Sequence, residues 1–218
     1  ARAPEILGNH YEIAYPGKQL STARNLRKLP LHETYKTARA HFGQFYGWER
    51  PLYFEKIQEP NLTFGCPDWF ENVKNEVKAA HTKAAIFDVS PFGKIEVKGA
   101  DAEAFLMKTC AGYMARTPGS VIYTAVLNDR GTFESDITAQ RIASDHYRLF
   151  VGTSAIKRDL CWFTRASDGF DVTLEDSTEK YAVLSLMGPY AARIVMDCDA
   201  TELTDLGYFK VGAAYIAG

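Results

Sequence analysis

A β-hairpin is predicted by the run Leu127-Asn128-Asp129-Arg130-Gly131-Thr132-Phe133-Glu134-Ser135-Asp136-Ile137-Thr138. Asn128 and Gly131 are typical of the tight turn between two strands. Successive side chains of a strand point to opposite faces of the sheet, so Glu134, Asp136 and Thr138 are expected on one face. Because aspartate is a poor strand former, Asp136 in mid-strand suggests a functional role.

The register of this hairpin predicts a neighbour for Asp136. A two-residue loop, Asp129-Arg130, would pair Tyr123 directly with Asp136 on the same face. A one-residue bulge at Gly131 would make the same contact diagonal. The simpler alternative is a solvated sheet face that carries an incidental aspartate, and spacing by itself leaves that alternative open.

Composition narrows the possible functions. The chain has 218 residues and a net charge of −2, with 46% hydrophobic and 24% charged residues, which is ordinary for a globular protein. The basic residues form no clustered face of the kind that binds nucleic acid, and no apolar stretch is long enough to span a membrane. Glycine-rich phosphate loops and a G-x-S-x-G elbow are missing, which argues against nucleotide-binding enzymes and hydrolases.

The four cysteines are far apart in the sequence, without C-x-x-C or Cys/His spacing, so no zinc or other metal site is predicted. We expect reduced and mostly buried thiols, in the cytoplasm or, in a eukaryote, in the mitochondrial matrix. The chain begins without methionine and ends in the apolar run 211–218, which leads us to expect a fragment of a longer protein.

The order of elements predicts an α+β fold, an antiparallel sheet with packed helices. Helices are expected at about 68–83, 99–110, from 154 and from 188, because apolar residues recur there at helical spacing or capping residues begin them. Strands are expected at 94–98, in the hairpin 121–142, and at 146–152, 170–175 and 181–187. Residues 1–60, rich in aromatic and basic side chains and broken by prolines, suggest an irregular arm.

Five short motifs, in order, resemble the folate-binding aminomethyltransferase family of the glycine-cleavage T-protein. They are Trp48-Glu49-Arg50-Pro51, Phe87 to Gly93, Ile122-Tyr123-Thr124, Leu127 to Thr138, and Leu186-Met187-Gly188-Pro189. Within that family the chain is most similar to the C-terminal half of dimethylglycine and sarcosine dehydrogenase flavoproteins. The resemblance implies an arm over 1–60 like the end of the flavoprotein central domain. Residues 61–218 would be the N-terminal portion of the folate-binding domain, without its C-terminal barrel.

The resemblance also implies a site. Asp136 matches the family's catalytic carboxylate, which holds N10 of tetrahydrofolate and stabilises a cationic amine or iminium near N5. Phe92 would form an apolar wall for the pterin, and Tyr123 would contact the pterin or its linker. Gly152 and Thr153 would lie where the backbone approaches the cofactor.

The sequence departs from the T-protein pattern at several positions. Thr132 replaces the second glycine of the hairpin and Ser135 the first acid. Pro91-Phe92 follows Ser90 where a His-Met pair is usual, and Gly152 lies where T-proteins carry asparagine. These departures indicate the flavoprotein branch, and the family's later contacts to the pterin and glutamyl tail would lie beyond residue 218.

The sequence therefore predicts tetrahydrofolate-dependent one-carbon transfer coupled to oxidative demethylation of a methylated amine such as dimethylglycine or sarcosine. FAD would belong to a flavin domain supplied in cis or in trans, and the isolated chain could be inactive. The alternatives are a glycine-cleavage-type aminomethyltransferase without flavin, a non-catalytic scaffold or assembly protein of the folate family, and an inert structural fragment. The amine substrate and the oligomeric state are left open.

Overall fold

The computed structural model describes residues 2–54 and 60–216. The strands within those residues are β1 (Arg27–Lys28), β2 (Ala40–Phe45), β3 (Trp48–Phe54), β4 (Ala85–Asp88), β5 (Gly93–Lys98), β6 (Val121–Leu127), β7 (Phe133–Ala143), β8 (His146–Val151), β9 (Thr173–Asp176) and β10 (Leu184–Met187). The helices are α1 (Arg2–Gly8), α2 (His32–Thr37), α3 (Phe70–Thr82), α4 (Ala102–Thr109), α5 (Ile156–Ala166) and α6 (Ala191–Asp197).

The chain divides into two compact units. The first consists of Ala1–Asp88 and Leu184–Ala191, and the second of Val89–Val183 and Ala192–Gly218. The first contains a three-stranded sheet in the order β1-β3-β2 and the antiparallel pair β4 and β10. The second contains a five-stranded antiparallel sheet in the order β6-β7-β8-β5-β9. The division at residue 60 stays a prediction.

The first unit differs from the irregular arm that its prolines suggested, because residues 27–54 form three strands around buried side chains. Glu49 is 1% exposed and binds Arg24 through two hydrogen bonds of 2.9 and 2.5 Å. The backbone N–H of Asn25 donates to the same carboxylate at 2.7 Å. The hydrogen bond from Arg24 lowers the pKa of Glu49. The partner of Glu49 in this ion pair therefore lies 25 residues earlier in the sequence.

The core of the second unit lies between the five-stranded sheet and helices α4 and α5. Phe105 of α4 and Phe163 of α5 are fully buried, and their rings meet edge to face at 6.1 Å. They pack against a cluster of buried sheet residues that includes Ile95, Val97, Ile137, Ala139, Leu149 and Val151. Alternate residues of these strands consequently point away from the helices.

On the face of the sheet away from the helices, two charged side chains of β5 are buried. Lys94 is fully buried, and its Nζ donates to the carbonyls of Ser90 and Thr178 at 2.7 and 2.9 Å. Glu96, 3% exposed, accepts hydrogen bonds from Arg148 at 2.6 Å and Ser177 at 2.9 Å, and its other oxygen lies 2.6 Å from His146 Nε2. Burial raises the pKa of Glu96, but the bonds from Arg148, His146 and Ser177 together outweigh it and lower that pKa.

These features confirm the predicted α+β class with antiparallel sheets and packed helices. None of the helices in residues 2–54 and 60–216 has the length and apolar character to cross a bilayer. The expectation that most thiols are buried is wrong: Cys110 is buried, whereas Cys66 and Cys161 are exposed and Cys198 is half-buried. Burial raises the pKa of Cys110 to about 11.

Candidate functional site

The hairpin of β6 and β7 has a bulge that the two-residue loop did not anticipate. Val126 pairs with Ser135 and Leu127 with Phe133, so the ladder skips Glu134. Tyr123 is therefore opposite Thr138, two residues along the same face from Asp136. The direct pairing of Tyr123 with Asp136 is wrong, and the diagonal arrangement is the one observed, although the extra residue is Glu134 rather than Gly131.

Tyr123 and Asp136 form the centre of the candidate site. The Tyr123 hydroxyl donates to Asp136 Oδ2 at 2.8 Å. Tyr123 is 62% exposed and Asp136 is also exposed, on the face of the sheet away from α4 and α5. The hydrogen bond to Asp136 raises the pKa of Tyr123, because ionised tyrosine would face a carboxylate. The pair thus presents a fixed carboxylate to solvent.

Glu134 does not share the face of Asp136, contrary to the simple alternation of the strand. Its Oε1 accepts a hydrogen bond from Asn128 Nδ2 at 2.7 Å, and the residue lines a cavity of about 60 Å³ with Arg158 and Asp159 of α5. Ser135, at the position of the family's first acid, is buried and donates to Asp159 at 2.7 Å. Asp136 is therefore separated from both neighbours, which point towards α5.

Phe92 and Gly152 lie just outside strands β5 and β8, which belong to the same sheet as Asp136. Thr138 pairs with Phe150, and Phe150 pairs with Lys94, so these three residues form one row across β7, β8 and β5. Gly93 pairs with Val151. If the register continued past the last observed pairs, Gly152 and Phe92 would fall in the row of Asp136 and on its face.

The environments of these two residues suit a flat ligand. Phe92 is 45% exposed and so presents an aromatic surface to solvent. A Cβ added at Gly152 would lie 3.9 Å from the Cβ of Ala155, an ordinary contact, so packing does not demand glycine there. Thr153 follows in the turn before α5 and is half-buried.

The strand pairing brings two further residues, which the sequence did not indicate, close to the candidate site. Thr138 and Phe150 occupy the row next to Asp136, and both are half-buried on the same face. The alternation along β8, with Tyr147, Leu149 and Val151 buried, would have placed Phe150 on this face. Within the described ranges, no three His, Cys, Asp or Glu residues are grouped as metal ligands would be.

A family model matches most of the chain and so identifies the family to which the chain belongs. The profile of the GCVT N-terminal domain matches residues 31–218. The chain belongs to the GCVT N-terminal domain family. In agreement, the chain resembles the crystal structure of glycine cleavage system aminomethyltransferase T from Bartonella henselae, with a TM-score of 0.68 and 25% sequence identity over 85% of this chain and 46% of that one.

Two oxidising enzymes are among the curated relatives. The 4-methylaminobutanoate oxidase (formaldehyde-forming) of Paenarthrobacter nicotinovorans is 32% identical over 209 residues, which are 94% of this chain and 25% of that protein. The mitochondrial dimethylglycine dehydrogenase of Mus musculus is 28% identical over 211 residues, which are 94% of this chain and 24% of that protein. The chain spans about a quarter of the length of these relatives.

Proposed function

We propose that this chain is the aminomethyltransferase-like module of an amine-demethylating flavoprotein, and that it transfers a one-carbon unit to tetrahydrofolate. The observation that carries the proposal is the exposed Asp136 carboxylate, hydrogen-bonded by Tyr123 at 2.8 Å, in a chain of the GCVT N-terminal domain family. The assignment of Asp136 as catalytic, and of Phe92, Tyr123, Gly152 and Thr153 as cofactor contacts, is part of this proposal.

The residues present fit a reduced pterin. Phe92 and Tyr123 offer exposed aromatic surface, and Gly152 has no side chain that would hold a ligand away from the backbone. Tetrahydrofolate, when bound, supplies the nitrogen atoms that accept the one-carbon unit. Asp136 would accept a hydrogen bond from the N10–H and would stabilise positive charge on the reacting amine or iminium. This attraction strengthens as ligand displaces water from around the carboxylate.

The flavoprotein assignment, rather than a glycine-cleavage enzyme without flavin, is supported by the extent of the matches. The family profile begins at residue 31, whereas the oxidase and dehydrogenase relatives cover 94% of the chain. Those matches must therefore extend into residues 1–30, before the aminomethyltransferase profile begins. We propose accordingly that a flavin domain, in cis or in trans, oxidises a methylated amine such as dimethylglycine or sarcosine and hands the one-carbon unit to this module.

Asp136→Asn in the parent protein tests the proposal. The yield of methylene-tetrahydrofolate should fall by roughly 10²–10³-fold, the usual effect of removing one preorganised electrostatic group. Amine oxidation, measured by dye reduction, should persist. Asp129→Asn is the matched control, since it removes an exposed carboxylate from the loop of the same hairpin. Unchanged methylene-tetrahydrofolate yield in Asp136→Asn would rule out the assignment.

A further inference from the structure

With Leu127 paired to Phe133, as the structure shows, the bulge at Glu134 decides which face of the sheet Asp136 occupies. Without it, the pairing of Leu127 with Phe133 would continue along the hairpin and place Asp136 opposite Thr124. Thr124 is buried on the core side of β6. One additional residue in β7 therefore moves the carboxylate from the core side to the side of Tyr123.

Asn128 forms hydrogen bonds that hold both the turn and the bulged residue. Its Oδ1 accepts from the backbone N–H of Arg130 at 3.0 Å and of Thr132 at 3.1 Å. Its Nδ2 donates to Thr132 Oγ1 at 2.6 Å and to Glu134 Oε1 at 2.7 Å. The side-chain amide thus uses both acceptor positions and both donor hydrogens.

The rest of the loop is compatible with this arrangement. The backbone N–H of Asn128 donates to Thr132 at 3.0 Å, and that of Gly131 donates to Asn128 at 2.8 Å. Gly131 has a φ of +72°, which glycine adopts without strain. The bond to the Glu134 carboxylate is the one link from the Asn128 amide to the bulged residue, and it is charge-assisted.

We propose that Asn128 and Glu134 form a register clamp, which positions Asp136 beside Tyr123 and so makes the one-carbon transfer site competent. This role rests on the function proposed above, and it adds two positioning residues that need not touch the substrate. The consequence is that the Asn128 amide controls the orientation of a carboxylate eight residues later.

The test exchanges donor and acceptor within the clamp. Asn128→Asp keeps the acceptor for the two backbone N–H groups but places a carboxylate against Glu134, which breaks the link. Adding Glu134→Gln supplies a donor from the other side and restores one hydrogen bond. Arg130→Gln is the matched control, since it changes the charge of the same loop by the same one unit without touching the clamp.

The readout that requires no folate is the pKa of Tyr123, followed by NMR in protein labelled with ¹³C at the tyrosine ring and assigned with Tyr123→Phe. In Asn128→Asp this pKa should fall towards that of ordinary tyrosine, because the hydrogen bond to Asp136 is lost. In the parent protein the yield of methylene-tetrahydrofolate should drop roughly tenfold, which corresponds to one lost hydrogen bond. The double variant should recover both quantities, and Arg130→Gln should resemble wild type.

A Tyr123 pKa in Asn128→Asp equal to that of wild type would overturn the clamp. A correctly folded double variant no better than the single one would overturn it as well. Failure of the proposed function looks different: Asp136→Asn would then capture one-carbon units like wild type, while the NMR titrations would still decide whether Asn128 and Glu134 set the position of Asp136.

Discussion

Glu96→Gln should destabilise the second unit strongly, although glutamine and glutamate have nearly the same size and shape. The carboxylate is 3% exposed and is bonded by Arg148, His146 and Ser177 at 2.6–2.9 Å. A hydrogen bond to a charged group contributes about 1.5–3 kcal/mol and a neutral one about 1 kcal/mol. Glutamine at this position is neutral, and its amide N–H₂ would face groups that are themselves donors. The substitution should therefore lower the free energy of unfolding by an amount on the order of 2–4 kcal/mol.

Urea unfolding at pH 7, followed by far-UV circular dichroism, measures this cost. Glu175→Gln is the matched control, because Glu175 is the cross-strand partner of Glu96 but is exposed and forms an ion pair with the exposed Lys180. Its unfolding midpoint should stay close to that of wild type, as expected for a surface ion pair. Equal midpoints for Glu96→Gln and Glu175→Gln would refute the assignment of Glu96 as a buried anchor.

The same comparison has a defined dependence on pH. The pKa of Glu96 is lower in the folded state than in the unfolded state. Its contribution to stability is therefore complete above the unfolded pKa and is lost as the pH falls through the folded pKa. The difference between wild type and Glu96→Gln should shrink as the pH drops below the usual range of glutamate. A difference that stays constant down to pH 2 would contradict the ion-pair origin.

Three further substitutions have clear expectations. Gly152→Ala should leave the unfolding midpoint unchanged, because there is room for a Cβ at this position. The same substitution should weaken the binding of tetrahydrofolate to the parent protein, measured by calorimetry. An unchanged affinity would argue against close contact between the ligand and the backbone at Gly152. Gly188→Ala should destabilise by roughly 1–3 kcal/mol in urea, because φ is +115° and the new Cβ would lie 2.6 Å from the Lys83 carbonyl oxygen. Glu49→Ala should cost about 3–5 kcal/mol, since it leaves Arg24 without its buried partner, and a loss below about 1 kcal/mol would show that the pair is dispensable.

Local patterns in the sequence predicted many of the elements after residue 60. The helix expected at about 68–83 is α3, and the hairpin and the strands after it lie where alternation and turn residues placed them. The hydrogen bond between Tyr123 and Asp136 could also be predicted from the sequence, because both the direct and the bulged register bring these side chains together on one face.

The parts that the sequence did not predict depend on contacts between distant residues. No local pattern identifies Arg24 as the partner of Glu49. The alternation of Lys94 and Glu96 is typical of a solvated strand face, yet Ser177 and Thr178 cover it from more than 80 residues away. The bulge was expected at Gly131 and lies at Glu134, because the sequence alone does not show that the Asn128 amide reaches Glu134.

The two units have a shared consequence for the order of folding. In the first unit, β4 lacks its partner until β10, residues Leu184–Met187, has been made. In the second, Lys94 on β5 is satisfied by Thr178, 84 residues later. During synthesis from the N-terminus, the first unit cannot complete these hydrogen bonds before residue 187 is made, nor the second before residue 178. Strand β4 and the charged face of β5 are therefore exposed on the nascent chain until those later residues emerge, and long-range pairing of this kind forms slowly.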